Sequence, residues 1–110
     1  MLKLKEEINE KAIESLAQRI ALNFRPEKIL LFGSYAKGTN FPDSDVDLFI
    51  VMNSSLRRDD RSREVSKLFP DRLFALDVVV FTPEEVAQSV QSKNSFITTI
   101  LKEGKVLYEN

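Results

Sequence analysis

The sequence predicts a domain of the α/β (α+β) class, and three observations lead there. An apolar stripe of helical period runs from about residue 4 to residue 24. Short apolar or β-branched runs then alternate with helical stretches, and Thr82-Pro83-Glu84-Glu85 has the composition of a helix start.

In the first stretch Leu4, Ile8, Ala12, Leu16 and Ile20 recur every four residues, with Ile13, Ala17 and Phe24 widening the stripe, as an amphipathic helix requires. Arg25-Pro26 ends it, because the residue before a proline is pushed out of the helical region. Lys28 to Phe32 is a short apolar run between Pro26 and Gly33, which suits a buried strand. A loop with Gly38, Asn40, Pro42 and Asp43 follows, and Asp45 to Met52 reads as a second strand that starts with two acids. Asp43 belongs to the turn Pro42-Asp43-Ser44.

From Ser54 or Ser55 to about Leu68 the chain is dense in charge around Leu56, Val65, Leu68 and Phe69. That pattern predicts a solvated helix or loop-helix segment, with Arg57, Arg58, Arg61 and Arg63 facing water among acids. Phe74 to Phe81 is aromatic and β-branched, so it reads as a third strand with Asp77 inside it. After the cap at Thr82, Val86, Ala87 and Val90 are expected to face inward. Phe96, Ile97, Ile100 and Leu101 repeat the pattern in a last helix that stops at Gly104, and Lys105 to Tyr108 can add an edge strand.

The 110 residues, 43% hydrophobic and 30% charged, are expected to form a single domain with one core and little to spare for a second lobe. Without cysteine or histidine there is no thiolate zinc site, no disulfide scaffold and no nucleophile activated by histidine. A net charge of −1 argues against direct nucleic-acid binding, which draws its affinity from a basic surface. The N-terminus lacks the apolar core of a signal peptide and no apolar run spans a bilayer, so a cytoplasmic protein is expected.

Chemistry concentrates in Gly33-Ser34 and, after ten intervening residues, Asp45-Val46-Asp47. Strand alternation puts the Asp45 and Asp47 carboxylates on one face, while Gly33-Ser34 can offer backbone N–H groups to a phosphate. Asp77 in an apolar strand is costly to bury without a compensating cation. If its strand lies beside the second, three carboxylates gather at one spot, and Mg²⁺ takes such oxygen ligands together with substrate phosphates. Two Mg²⁺ ions about 3.5–4 Å apart would hold the entering and leaving oxygens of a phosphoryl displacement. Asp45, Asp47 and Asp77 are therefore the candidate catalytic and metal-binding residues. Gly33, Ser34, Lys37 and Gly38 are the candidates for holding ATP or another nucleoside triphosphate. Each element alone has an ordinary explanation, a turn, a cap or an edge residue facing water; the order and spacing together are what is specific.

Gly33-Ser34-Tyr35-Ala36-Lys37-Gly38, then Ser44-Asp45-Val46-Asp47-Leu48, then Asp77 resemble the minimal nucleotidyltransferases of the DNA polymerase β superfamily. The resemblance covers nearly the whole chain and implies a mixed sheet with helices packed on one face and the acids in a cleft on the other. It also implies Mg²⁺-dependent transfer of a nucleoside monophosphate with release of pyrophosphate. Lys37 stands where many members carry arginine, which keeps the charge but loses the two-pronged phosphate contact. Small members of the family pair with a helical HEPN-type toxin, and some neutralise it by adenylylating a tyrosine, so the resemblance implies an antitoxin. A partner or another copy of the chain would then supply the acceptor surface. Two other readings stay open: a non-catalytic antitoxin that masks its partner, and a transferase acting on a small molecule such as an aminoglycoside.

Overall fold

The computed structural model describes residues 8–41 and 44–110. Helix α1 (Glu10–Phe24) opens on Asn9, whose side chain accepts from the Ala12 N–H at 2.8 Å. That cap starts the helix later than the apolar stripe suggests; Leu4 lies outside the described residues. The helix ends at Arg25, a left-handed cap (φ 49°) whose N–H donates to the Ala21 carbonyl.

Strand β1 (Lys28–Phe32) leads into the single-turn helix α2 (Ser34–Lys37), and β2 (Val46–Val51) follows. Then come α3 (Arg58–Ser66), β3 (Leu76–Phe81), α4 (Pro83–Gln91), α5 (Ser95–Glu103) and β4 (Lys105–Glu109). The strands form one sheet in the order β3-β2-β1-β4. β1 runs antiparallel to both β2 and β4, whereas β2 and β3 are parallel and joined through α3, so the sheet is mixed as expected. β4 is the edge strand foreseen from the sequence, with Lys28 opposite Glu109 and their charges 3.1 Å apart.

Strand alternation divides the core between two faces. On one, Ile29, Leu31, Val46, Leu48, Ile50, Val78 and Val80 meet Ile13, Leu16, Ala17 and Ile20 of α1, and Val65 of α3. On the other, Leu30, Phe49, Val51 and Phe81 meet Ile97 and Ile100 of α5. The resemblance implied helices on one face only; α5 covers part of the second as well, because four large apolar side chains there require cover.

Two expectations about burial are corrected. Ala87 is exposed and Val90 is 46% exposed, so α4 buries no residue and leans on the core only through the partly buried Val86. Arg61, expected on a solvated face, is 7% exposed. Its guanidinium donates to the Leu56 carbonyl at 2.8 Å, the Val80 carbonyl at 3.3 Å and the Glu85 carboxylate at 2.7 Å. Glu85 also closes the capping box of α4, its carboxylate accepting from the Thr82 N–H while its own N–H donates to Thr82 Oγ1. One half-buried ion pair thus ties α3, the end of β3 and the start of α4 together. These hydrogen bonds, led by that from Arg61, hold the Glu85 carboxyl down at about 2.

Candidate active site

Asp47 is the second residue of β2 and Asp77 the second of β3, and the parallel register sets them directly opposite one another. Both share the face of Phe49 and Val79, at the end of the sheet where β2 and β3 begin. On the other side of Asp47 the register partner is Phe32, the last residue of β1. Asp45 lies just before β2 rather than inside it. The Phe41 N–H donates to Ser44 Oγ at 2.8 Å and the Ser44 N–H to the Phe41 carbonyl at 2.9 Å, which closes the turn that delivers Asp45. Pro42 and Asp43, expected in this turn, lie outside the described residues.

The sequence located the electrostatic cost on Asp77, as a charge inside an apolar strand. The structure puts it on Asp47. β3 is an edge strand and Asp77 is exposed, so water solvates its carboxylate. Asp47 is half-buried one strand further in. Burial, then the charge of Asp77, then that of Asp45 push its carboxyl up to about 6.

Gly33 joins this corner to the phosphate-binding candidates. Its backbone (φ 76°, ψ −154°) lies in a region that is essentially glycine's alone. A Cβ there would sit 2.1 Å from Asp47 Oδ2, so the carboxylate of β2 rests against the bare Cα of the residue that follows β1. Where a loop was expected, the chain turns at once into α2. The Lys37 N–H donates to the Gly33 carbonyl at 3.2 Å, and Gly38 (φ 73°) closes the turn with its N–H on the Ser34 carbonyl. The N–H groups that open such a turn have no acceptor within it and are available to an anion. Ser34 is half-buried at this end and Lys37 exposed at the other. Tyr35, between them, packs on the core and accepts the Ile8 N–H at 3.3 Å.

All seven residues singled out from the sequence therefore meet at one end of the sheet. The trio expected around one spot is a close pair, Asp47 and Asp77, with Asp45 at its rim. Among the described residues no three acidic side chains close into a ready metal cage. The donor set nevertheless suits Mg²⁺: it is all oxygen, it is open on the side where phosphates would complete the coordination, and its mutual repulsion calls for a cation. Beside this corner a cavity of about 450 Å³ opens between α2 and α5, with Phe32, Gly33 and Lys37 on one wall and Phe96 on the other. Sequence reasoning missed this wall, since Phe96 reads as a core position of α5; in the structure it is 51% exposed and meets Phe32 edge-on at 5.9 Å.

The chain is similar to known proteins in sequence and in fold. A family model described as polymerase beta, nucleotidyltransferase, matches residues 10–110. Two proteins of Methanocaldococcus jannaschii, both named as candidate protein adenylyltransferases, are similar in sequence. MJ0604 is 34% identical over 90% of this chain and 97% of its own length. MJ1305 is 33% identical over 74% of this chain, which spans 57% of that protein. Among solved structures, a candidate nucleotidyltransferase of Sulfolobus solfataricus superposes with a TM-score of 0.62 at 20% identity, over 91% of this chain and 79% of that one. A chain of a mutant form of the toxin–antitoxin complex MntA-HpeT gives 0.59 at 23% identity, over 94% and 75%. A toxin–antitoxin complex with AMP-PNP gives 0.53 at 20% identity, over 88% and 73%.

Proposed function

The chain belongs to the polymerase β nucleotidyltransferase family, and from that premise we propose that it transfers AMP from ATP to a hydroxyl group of a partner protein. One observation carries this reading: Asp47 and Asp77 stand side by side at the end of the sheet where β2 and β3 begin, with Asp47 seated against the Gly33 backbone from which the phosphate-binding turn starts.

Asp45, Asp47 and Asp77 would hold Mg²⁺, in the two-ion arrangement that such carboxylate sets favour. When bound, the metal supplies charge neutralisation along the triphosphate and polarises the α-phosphorus. The chain's own part is positional and electrostatic. The amides of the Gly33-Ser34 turn and the Ser34 hydroxyl orient the β- and γ-phosphates, and Lys37 offsets their charge. Gly38 lets the chain turn back towards the acids. Asp77, at the exposed edge, takes the proton of the incoming hydroxyl. A bond forms between that oxygen and the α-phosphorus, the bond to the β-phosphate oxygen breaks, and pyrophosphate leaves.

The adenylyltransferase names of the sequence relatives support a protein acceptor, and the toxin–antitoxin complexes that share the fold support a toxin as that protein. On this reading the partner is a helical HEPN-type toxin and the chain its antitoxin, working in the cytoplasm. Among the described residues no helix is long and apolar enough to cross a membrane.

The test is incubation with α-³²P-labelled ATP, GTP, CTP and UTP and Mg²⁺, with and without copurifying proteins. Label on a copurifying protein that vanishes in Asp45→Asn is the expected result. Tight association without label or pyrophosphate would overturn transfer and leave an antitoxin that masks its partner.

A further inference from the structure

We propose that the free edge of β3 beside Asp77 takes up the acceptor as an added strand, and that the acceptor is a hydroxyl-bearing residue flanked by acidic ones in an extended segment of the partner protein. The proposal rests on the nucleotidyltransferase reading above and adds to it how the acceptor docks and which residues surround it. Two hydrogen bonds fix which groups of β3 are already taken: the Val46 N–H donates to the Ala75 carbonyl at 2.8 Å, and the Met52 N–H to the Phe81 carbonyl at 3.0 Å. Backbone groups alternate sides along a strand, so Asp77 and Val79 also turn towards β2, while Leu76, Val78 and Val80 turn outward. The Arg61 guanidinium occupies the Val80 carbonyl at 3.3 Å. Among the described residues nothing pairs with the outward groups of Leu76 and Val78. The edge is thus closed at its far end and open at the end that carries Asp77. The sheet's other edge is less suited, because β4 pairs with β1 through a register shift between Ile29 and Leu30, and such irregularities turn an edge away from further pairing.

A cavity of about 490 Å³ opens along this edge, lined by Leu76, Asp77 and Val78 of β3 and by Arg63 and Lys67 at the C-terminal end of α3. Side chains in register on neighbouring strands share a face, with Cβ atoms about 5 Å apart. A residue set opposite Asp77 on the added strand therefore points to the face of the acids, and its hydroxyl comes within reach of the carboxylate that takes its proton. The residues before and after it point to the opposite face, where Val65 of α3 packs in one cluster with Val78 and Val80. The charged side chains that α3 brings to the cavity are Arg63 and Lys67, both cationic and both well exposed. Their partners, Asp60 and Glu64, are neighbours on the surface of the helix, and such pairs gain little over water. Carboxylates on either side of the acceptor residue can take their place, whereas lysines there would meet two like charges. Because Arg61 closes the edge at Val80, the segment need be extended only where it faces Leu76 to Val78. An exposed loop or a chain end can supply that.

The test titrates synthetic peptides into the ¹⁵N-labelled protein loaded with Mg²⁺ and α,β-methylene ATP, which cannot transfer AMP. One peptide carries a tyrosine flanked by glutamates, one the same tyrosine flanked by lysines, and one is the glutamate peptide with its amides N-methylated. The glutamate peptide is expected to shift the amide signals of Leu76 and Val78 and slow their exchange with solvent. It should bind about fivefold more tightly than the lysine peptide, the scale of exposed ion pairs, and lose that binding on N-methylation. Arg63→Glu combined with Lys67→Glu should reverse the preference between the two peptides. Signals that do not move, indifference to N-methylation or equal affinity for the two peptides overturns the added strand. Transfer of label from α-³²P-ATP to the copurifying protein, followed in the wild type and the double variant, separates this proposal from the one it rests on. Label that falls in the variant supports the edge as the acceptor's seat; label that is unaffected overturns that seat while the transferase stands; and no label in the wild type overturns the transferase reading and the acceptor with it.

Discussion

Replacing Gly33 by alanine tests the join between the phosphate-binding turn and the acids. The added Cβ meets Asp47 Oδ2 at 2.1 Å, whereas real Cβ contacts stop near 3.0 Å, so the carboxylate must retreat by about 1 Å. The backbone at φ 76°, ψ −154° adds strain of about 1–3 kcal/mol, and the overlap a further 1–3 kcal/mol or so. Together these take a large share of the roughly 5–15 kcal/mol that holds an ordinary domain. Where the protein still folds, a 1 Å displacement of Asp47 should lower transfer by about 10²-fold. A double-mutant cycle separates the two causes. In Asp47→Ala the offending oxygen and its carbon are gone and only Cβ remains, 3.4 Å away, which is ordinary contact. Gly33→Ala should then cost only the backbone part, giving a coupling of about 1–3 kcal/mol in urea unfolding. Strictly additive effects would refute the idea that Gly33 is there to make room for Asp47.

Four further outcomes are expected. Because the Asp47 carboxyl is raised to about 6 in the folded protein, from an unfolded value near 4, folding favours its protonated form; the metal-free protein should lose stability as pH rises from about 4 to 6. Asp47→Asn should remove that loss and raise the melting temperature at pH 8 but not at pH 4, and an unchanged melting temperature at pH 8 would sink the claim. Mg²⁺ affinity, followed by calorimetry, should rise with pH through about 6, because the protonated carboxyl is a poor ligand. Glu85 behaves oppositely: its carboxyl is held at about 2, so its contribution is present above the unfolded value near 4.3 and is lost as pH falls towards 2. Arg61→Ala takes a donor from the Leu56 and Val80 carbonyls and leaves the Glu85 carboxylate with only the Thr82 N–H and Arg58, and should cost about 1–3 kcal/mol in denaturant unfolding; a loss below about 0.5 kcal/mol would show that water replaces the guanidinium.

Local signals carried much of the fold. The period of α1, the capping box at Thr82 and the apolar runs of β1, β2 and β3 are properties of neighbouring residues, and each element formed where they pointed. The close approach of the Gly33 turn to the acid-bearing start of β2 was legible for the same reason, since its spacing is fixed along the chain. What stayed hidden depends on how elements meet. Charge density alone placed Arg61 in water, although it stands four residues before the buried Val65 and so on the inner face of α3. Its partner Glu85 already read as a capping residue, which left no sign of a second role. The exposure of Asp77 follows from β3 being an edge strand, and strand order is a tertiary fact. The single turn of α2 contains too few residues for any periodicity to reveal it.

Strand order also gives the paired acids different work within the proposed reaction. Asp47 sits on an inner strand, between Phe32 and Asp77 and against Gly33, so it faces the phosphate-binding turn and the cavity beyond. Among the described residues no strand lies outside Asp77, so a partner can approach there without displacing part of the described sheet. Donor and acceptor thus reach the acids from opposite sides, as an in-line displacement needs, with the incoming oxygen opposite the departing pyrophosphate. Exchanging the two environments would fail on both counts, since an exposed Asp47 would lose its seat against Gly33 and an enclosed Asp77 could not meet a bulky acceptor. Asp77→Asn should therefore abolish transfer while leaving ATP binding within a fewfold of the wild type, whereas Asp47→Asn should weaken both. Equal losses of ATP binding in the two variants would contradict this division.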